Sequence, residues 1–213
     1  MHIQIILGGM KDIIDNFDIG IILVPFISEA KMITDYRKVL ESVENKFEGE
    51  DKIKNPEIGY TFEIGDANCV VKYIDNNEPS KVNNSSVVIE MTLGEQGYLF
   101  MGDIEKEVEN LGKRSDDKKI EWREIDVLKV GHHGSSSSST EYFINVISPE
   151  IAIISVGENN KYNHPVQAVL DRLIKICNKN GVYRTDRDGT IFLVNENGEN
   201  KITLLTTNVN SHK

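Results

Sequence analysis

The last third of the chain alternates between short apolar runs and segments with helical spacing, and this alternation constrains the fold more than any other feature. Residues 126–130 and 151–156 are apolar runs typical of buried strands, while residues 140–147 and 165–180 carry apolar side chains at helical spacing. Strands and helices that alternate in this way build layered α/β folds. We therefore predict an α/β fold, in which ligands gather at the carboxyl ends of the strands.

The first two thirds of the chain give a more mixed pattern. The sequence predicts strands over 2–7 and 21–24, and helices over 10–17 and 28–46. Short strand-like runs separated by polar turns then indicate an antiparallel meander over residues 59–64, 67–74, 86–92 and 97–101. The remaining predictions are a helix over 104–111, an exposed charged loop over 114–123, and closing strands over 182–184, 190–194 and 202–205. We expect one domain over 1–213, in which 196–213 form a terminal strand and tail.

The composition is that of an ordinary globular chain, with 213 residues and a formal net charge of −10. Basic residues are scattered, so the sequence shows no basic stripe of the kind that grips a nucleic-acid backbone. Bound divalent metals would nevertheless supply local positive charge for such a substrate. Cys69 and Cys177 lie far apart in sequence, which favours two buried thiols in a reduced, cytoplasmic setting. We expect neither a membrane-spanning segment nor a signal peptide.

An aspartate and three histidines follow strands of the predicted sheet. Asp103 comes after residues 97–101, His132 and His133 after residues 126–130, and His164 after residues 151–156. Imidazole nitrogens and carboxylate oxygens bind zinc and harder divalent ions such as manganese. These strand ends therefore predict a metal site.

Each of these features also has an ordinary structural explanation. Asp103 directly precedes a predicted helix and could cap its first turn. A single histidine in a loop is usually solvated or hydrogen-bonded. The serine run over 135–139 is consistent with a flexible linker, or equally with a helix start whose amides face an anion.

Three segments together resemble consecutive motifs of one family. Residues 98–103, 126–135 and 154–165 are similar to motifs of the metallo-β-lactamase-fold domain found in ComEC-type DNA-uptake (competence) proteins and their free-standing relatives. Residues 83–86 resemble the asparagine-serine motif of that family, and residues 182–191 resemble its closing strands. The resemblance covers roughly residues 8 to 195, and its most specific part is the segment around His132 and His133.

The resemblance implies an αββα sandwich with one or two divalent metals, zinc or manganese, at the sheet edges. Asp103 would ligate or bridge metal, while His132, His133 and His164 would share metal-ligand and proton-transfer roles that the resemblance does not divide among them. His132 and His133 would be the catalytic residues. The implied reaction is metal-dependent hydrolysis of a phosphodiester or other ester, with DNA as a candidate substrate. The implied substrate contacts are Asn84, Ser135, Ser136 and Asn163.

The chain departs from the family at its beginning. The main metal motif of the family, H-x-H-x-D-H, should stand before Gly8-Gly9, but residues 1–7 contain only His2 and no aspartate. The opening strands of the fold are also missing from the sequence. We therefore expect a truncated or divergent member, for which the alternative function is a catalytically impaired binding or structural module. An exposed strand edge would then favour self-association.

Overall fold

The computed structural model describes residues 10–25, 34–47, 52–75, 81–177 and 179–205. The strand predicted over 2–7, Gly8-Gly9 and the first six residues of the helix predicted over 28–46 lie outside these ranges. The α/β class predicted from the sequence is confirmed within them.

The N-terminal part of the described chain is a small unit of helices and short strands. It consists of helix α1 (Met10–Asn16), strand β1 (Ile22–Leu23), helix α2 (Thr34–Lys46) and strand β2 (Ile53–Lys54). Strands β1 and β2 pair in parallel. The apolar side chains of these elements form their own buried cluster, with Ile14, Val39 and Val43 each no more than 3% exposed.

A seven-stranded mixed sheet forms the centre of the molecule. Its strands follow chain order, from β3 (Thr61–Ile64), β4 (Ala67–Tyr73), β5 (Val88–Leu93) and β6 (Gln96–Phe100) to β7 (Val127–Lys129), β8 (Ile151–Ile154) and β9 (Val182–Arg184). The first four strands pair antiparallel, as the predicted meander requires. The last four pair in parallel, as the strand–helix alternation requires.

Three helices lie between successive parallel strands of the sheet: α3 (Lys106–Glu109), α4 (Glu141–Ile147) and α5 (Gln167–Cys177). A fourth short helix, α6 (Thr185–Asp188), leads from β9 out of the sheet. Helix α4 begins at the predicted place because the Thr140 side chain accepts a hydrogen bond from the Phe143 backbone N–H and so caps its first turn. The helix predicted over 104–111 is shorter than expected, since α3 ends at Glu109 and a 3-10 turn follows over Asn110–Lys113.

A hairpin of β10 (Thr190–Glu196) and β11 (Glu199–Leu205) ends the described chain. Asn197 and Gly198 occupy its turn with φ values of 55° and 85°. Left-handed residues at both positions match the twist of a two-residue hairpin turn. The hairpin is attached to β6 because the Tyr98 hydroxyl donates to Asn200 Oδ1 over 2.6 Å.

The charged segment over 114–123 is the clearest error of the sequence-based prediction. Its first half is exposed, but Ile120 and Trp122 are buried, and the Trp122 ring packs edge-on against Phe143 with ring centroids 5.1 Å apart. The many charges around these two side chains concealed their anchoring role. The prediction for the cysteines is confirmed, because Cys69 and Cys177 are both buried free thiols.

Among the described residues, no helix has the length and apolar character needed to cross a membrane.

Candidate metal centre

The parallel strands β6, β7 and β8 bring the predicted residues to one edge of the sheet. Leu99, Leu128 and Ala152 lie side by side in register, so the three carboxyl ends point in the same direction. Asp103 stands three residues beyond β6, and His132 stands three residues beyond β7. The alternation of strands and helices is therefore what places these side chains together.

Asp103 is held in place by a tight turn. Gly102 has φ +55°, and a Cβ atom on it would lie 2.7 Å from the Ser86 Cβ, so no larger residue fits here without a shift. The Ser86 hydroxyl accepts a hydrogen bond from the Asp103 backbone N–H over 3.0 Å. The Asp103 side chain is only 2% exposed. The carboxylate is therefore buried and its backbone is fixed.

His132 and His133 form an unusual turn at the end of β7. Both residues adopt left-handed backbone angles, with φ of 48° and 55°. Such angles cost a non-glycine residue roughly 1–3 kcal/mol and occur most often at functional sites. The turn needs glycine at position 134, because a Cβ atom there would lie 2.5 Å from the Pro165 Cβ. A strained backbone at two consecutive histidines indicates that the fold fixes the position of both rings.

His133 faces Asp103. Its Nδ1 lies 2.6 Å from the Ser155 carbonyl oxygen, and a carbonyl can only accept, so Nδ1 carries the proton of the ring. In the neutral ring Nε2 then presents a lone pair, 3.4 Å from Asp103 Oδ1. Within the described part of the chain, His133 Nε2 and Asp103 Oδ2 are buried polar atoms that lack a hydrogen-bond partner. A lone pair and a carboxylate at this distance repel each other unless a proton or a cation lies between them.

The donor pair fits a divalent cation in distance and in chemistry. Zinc binds imidazole nitrogen and carboxylate oxygen at about 2.0–2.2 Å, so two such ligands at a tetrahedral angle stand about 3.4 Å apart. The His133 Nδ1–H bond to a backbone carbonyl is also the usual way in which proteins orient a metal-binding histidine. The fit is partial, because the residues with described positions contain no group of three His, Cys, Asp or Glu side chains arranged around one point.

His132 points into a different set of partners. Its Nδ1 lies 3.1 Å from Ser137 Oγ, and its Nε2 lies 3.4 Å from Asn83 Nδ2. The ring packs edge-on against His164, with ring centroids 5.9 Å apart. The two adjacent histidines of the motif are thus divided, with His133 on Asp103 and His132 beside Asn83 and His164.

His164 lies at the edge of a small cavity beside His133. Its backbone is fixed by Asn160, whose Oδ1 accepts from the His164 N–H over 3.0 Å and whose Nδ2 donates to the His164 carbonyl over 2.7 Å. The Tyr162 ring stacks against the imidazole at 5.9 Å between centroids. The cavity has a volume of about 180 Å³ and is lined in part by His133, Val156, Tyr162 and His164.

A half-buried lysine lies near the site. Lys129 stands between the apolar residues Leu128 and Val130, and its Nζ lies 3.3 Å from the Val130 carbonyl oxygen. Burial lowers the pKa of Lys129, and the charge of Asp103 opposes that lowering. The two groups are therefore electrostatically coupled across the strand ends.

The four predicted substrate contacts fall into two pairs. Asn84 and Ser135 are buried, and Asn84 Oδ1 accepts a hydrogen bond from the Glu105 backbone N–H over 2.8 Å. Ser136 and Asn163 are exposed. A substrate could therefore reach the second pair directly, while Asn84 and Ser135 support the turns around the site.

The serine run is an ordered part of the scaffold. The Ser138 hydroxyl donates to the Gly131 carbonyl over 3.0 Å, and the Ser139 and Thr140 backbone N–H groups donate to the Glu109 carboxylate. Burial raises the pKa of Glu109, although these hydrogen bonds oppose the rise. Of the two interpretations left open by the sequence, the flexible linker does not apply to this segment.

Sequence reasoning did not single out Asn83, Glu105, Lys129 or the Ser155 carbonyl. Asn83 belongs to the motif that was noticed, but its neighbour Asn84 was chosen, because sequence alone does not show which side of a short turn faces the site. Glu105 stands two residues after Asp103, and Lys129 interrupts an apolar strand. Both were visible signals. A backbone carbonyl such as that of Ser155 leaves no trace in a sequence.

Comparison with known proteins identifies relatives among bacterial competence proteins. The chain is 34% identical over 187 residues to ComE operon protein 3 of Bacillus subtilis, which covers 87% of this chain and 22% of that relative. It is 36% identical over 115 residues to Recombination protein 2 of Haemophilus influenzae, covering 54% of this chain and 13% of the relative. It is 35% identical over 115 residues to Competence protein ComA of Neisseria gonorrhoeae, covering 51% and 15%.

Family models and solved structures show less similarity to the chain than these sequence relatives do. No protein-family model matches the chain. A solved structure with some similarity is that of CmlA, a diiron beta-hydroxylase from Streptomyces venezuelae, with a TM-score of 0.47 and 13% identity over 78% of this chain and 38% of that chain.

The sequence relatives confirm the coarser part of the resemblance. The chain spans about a fifth or less of the length of the curated relatives it matches. It is therefore similar to one segment of competence and recombination proteins.

Proposed function

We propose that this chain is a divalent-metal-dependent hydrolase domain of the metallo-β-lactamase type, acting on phosphodiesters such as those of DNA. The observation that carries the proposal is the buried pair of Asp103 and His133 at the carboxyl edge of the sheet, where His133 Nε2 lies 3.4 Å from Asp103 Oδ1. Among the described residues, His133 Nε2 and the other carboxylate oxygen, Asp103 Oδ2, lack hydrogen-bond partners. The similarity to competence proteins supports the choice of a DNA-related substrate. The finer assignments of metal, reaction and substrate all belong to this proposal.

Asp103 and His133 would hold the cation. When bound, a divalent metal lowers the pKa of water and stabilises negative charge that develops on the phosphate. The chain supplies the orientation of the two ligands. The Ser155 carbonyl fixes the His133 ring, and the Ser86 hydroxyl and Gly102 fix the Asp103 backbone. Ligands held in this way need not reorganise when the cation binds.

His132 and His164 would move protons and contact the substrate. Their rings pack edge-on, and His164 also borders the cavity beside His133. Positioned proton transfer to a leaving oxygen typically contributes about 10²–10⁴-fold in rate. We assign this proton transfer to His132 in preference to His133, because His133 Nε2 faces Asp103.

The cavity beside His133 would take a small part of the substrate. Its volume of about 180 Å³ is close to that of an engineered cavity of about 150 Å³ that holds one benzene ring. One planar ring or one sugar would therefore fit against Tyr162. Ser136 and Asn163 are the exposed residues that we assign to contact the phosphate chain.

The net charge of −10 sets a further condition on this function. A strongly acidic chain repels phosphates at long range, so substrate binding should depend on the bound cation more than on basic side chains. This predicts weak DNA binding in the presence of a chelator.

A non-catalytic binding module is the second candidate function. The specific observation in its favour is that Asp103 and His133 alone converge closely, while the described ranges bring no third acidic, histidine or cysteine ligand to the same point. Hydrolysis is the property that separates the two candidates.

The test is a hydrolysis assay with matched variants. The chain would be treated with a chelator and then assayed with bis(p-nitrophenyl) phosphate and with a labelled single-stranded oligonucleotide, in the presence of Zn²⁺ or Mn²⁺. We expect turnover that requires metal and falls to background in Asp103→Asn and His133→Gln. The control is Asp171→Asn, which removes an exposed carboxylate on α5 and should leave the rate unchanged. Absence of turnover with either metal would leave the binding module as the better account.

A further inference from the structure

A chain of polar contacts leads from the surface to His132. Lys81 Nζ lies 2.7 Å from Glu105 Oε2 and 2.8 Å from Glu107 Oε1. The other oxygen of the Glu105 carboxylate, Oε1, accepts a hydrogen bond from Asn83 Nδ2 over 2.9 Å. That same Nδ2 lies 3.4 Å from His132 Nε2. Lys81, Asn83 and Glu105, which form this chain of contacts, are not expected metal ligands.

Glu105 fixes which way the Asn83 amide points. The Lys81 ammonium, which has only donor hydrogens, lies 2.7 Å from Oε2 of the Glu105 carboxyl group. A carboxylate paired with an ammonium group can only accept hydrogen bonds. The amide group that faces it must be the NH₂ end, so the assignment of the nitrogen and oxygen of Asn83 follows from its partner.

The orientation of Asn83 in turn fixes the proton on His132. An amide NH₂ has two hydrogens and no acceptor, so with one hydrogen on Glu105 the other points at His132 Nε2. That ring nitrogen must then be the unprotonated one. The ring proton is on Nδ1, where Ser137 Oγ lies 3.1 Å away as its acceptor.

We propose that Asn83 is a positioning residue that holds His132 as the neutral ring with its proton on Nδ1 and its lone pair on Nε2. Lys81 and Glu105 act through Asn83 by holding its amide. The inference rests on the proposed function and deepens it, because an unprotonated Nε2 can accept a proton at the start of hydrolysis.

The proton balance of that step is simple. As the water oxygen forms a bond to phosphorus and the ester P–O bond breaks, one proton of the water moves to His132 Nε2. The ring then returns this proton to the alkoxide that leaves, so the alcohol and phosphate monoester carry the atoms of one water. The 3.4 Å contact with Asn83 is long for a hydrogen bond, so a stronger donor can replace it at Nε2.

The test is the tautomer of His132, read by ¹⁵N NMR on metal-free protein labelled at histidine. The His132 signals would be assigned from the spectrum of His132→Gln. We expect the wild type to show a protonated Nδ1 and an unprotonated Nε2. Asn83→Asp replaces the NH₂ group by an oxygen that only accepts, so Nε2 should become protonated. The control is Asn16→Asp, which makes the same chemical change at an exposed site on α1 and should not alter the His132 signals.

Two results would overturn the proposal. One is a wild-type His132 that carries its proton on Nε2, which needs no variant to fold. The other is an Asn83→Asp protein that remains folded by thermal unfolding and keeps the wild-type tautomer. Neither reading uses catalysis, so a chain without hydrolase activity would refute the proposed function and still leave this measurement decisive. Where activity is present, Asn83→Asp should lower kcat by more than it changes KM.

Discussion

Replacement of Gly102 by alanine tests how the scaffold holds Asp103. An alanine at φ +55° pays the left-handed penalty of about 1–2 kcal/mol. Its Cβ would also lie 2.7 Å from the Ser86 Cβ, so Ser86 has to move. That movement takes the Ser86 hydroxyl away from the Asp103 backbone N–H, which donates a hydrogen bond to it. Loss of that hydrogen bond adds about 0.5–1.5 kcal/mol. Together these effects should lower the free energy of unfolding by about 1.5–3.5 kcal/mol.

Urea unfolding measures this loss, and Gly94→Ala supplies the control. Gly94 has nearly the same backbone angle, φ +60°, but a Cβ atom there would meet nothing within 4 Å. Its replacement should therefore show the left-handed penalty of about 1–2 kcal/mol and nothing more. With a urea dependence of about 2 kcal/mol per M, Gly102→Ala should lower the unfolding midpoint by about 0.8–1.8 M, and by more than Gly94→Ala does. Equal midpoints for the two variants would refute the idea that Ser86 and Gly102 together clamp Asp103.

Three further predictions concern the core, the polar network and the thiols. Phe143→Ala removes a fully buried ring that packs on Trp122, and should lower the free energy of unfolding by about 3–5 kcal/mol in the same urea assay. Because the pKa of Glu105 is lowered from 4.5, its contribution to stability is complete above that value and is lost as the pH falls through the lower folded value. Wild type should thus lose more stability than Glu105→Gln between about pH 6 and pH 3 in thermal unfolding, and parallel curves would contradict the network. Burial raises the pKa of Cys177 to about 11 and also raises that of Cys69, so neither thiol should react with a thiol reagent at neutral pH until denaturant is added.

The sheet was predictable because its signals are local. Apolar runs such as 126–130 and 151–156 mark strands by composition alone, and Thr140 marks the start of α4 through its capping side chain. The prediction of an exposed loop over 114–123 was wrong because Ile120 and Trp122 are buried, and Trp122 packs on Phe143, which is distant in sequence. A pattern dominated by charge does not reveal two side chains that find partners elsewhere.

The proximity of the candidate residues was predictable from the sequence, but their individual contacts were not. Asp103, His132, His133 and His164 follow strands, and parallel strands bring their carboxyl ends together. The His132 and His133 rings have different partners, and the two residues have consecutive left-handed backbone angles that no sequence pattern predicts. The same is true of the Ser155 carbonyl, since every residue has one and only the fold selects the one that matters.

The central claim is that Asp103 and His133 hold a divalent cation, and calorimetric titration of the metal-free chain with Zn²⁺ and with Mn²⁺ tests it most directly. The wild type and Asp171→Asn should bind one of these ions with the same affinity. Asp103→Asn and His133→Gln should each weaken that binding by at least about 10–100-fold, because loss of a residue that only orients a metal ligand already has an effect of this size. Equal affinity in Asp103→Asn and wild type, or no binding of either ion by the folded wild type, would contradict the claim and leave the pair as a histidine–carboxylate contact without a metal.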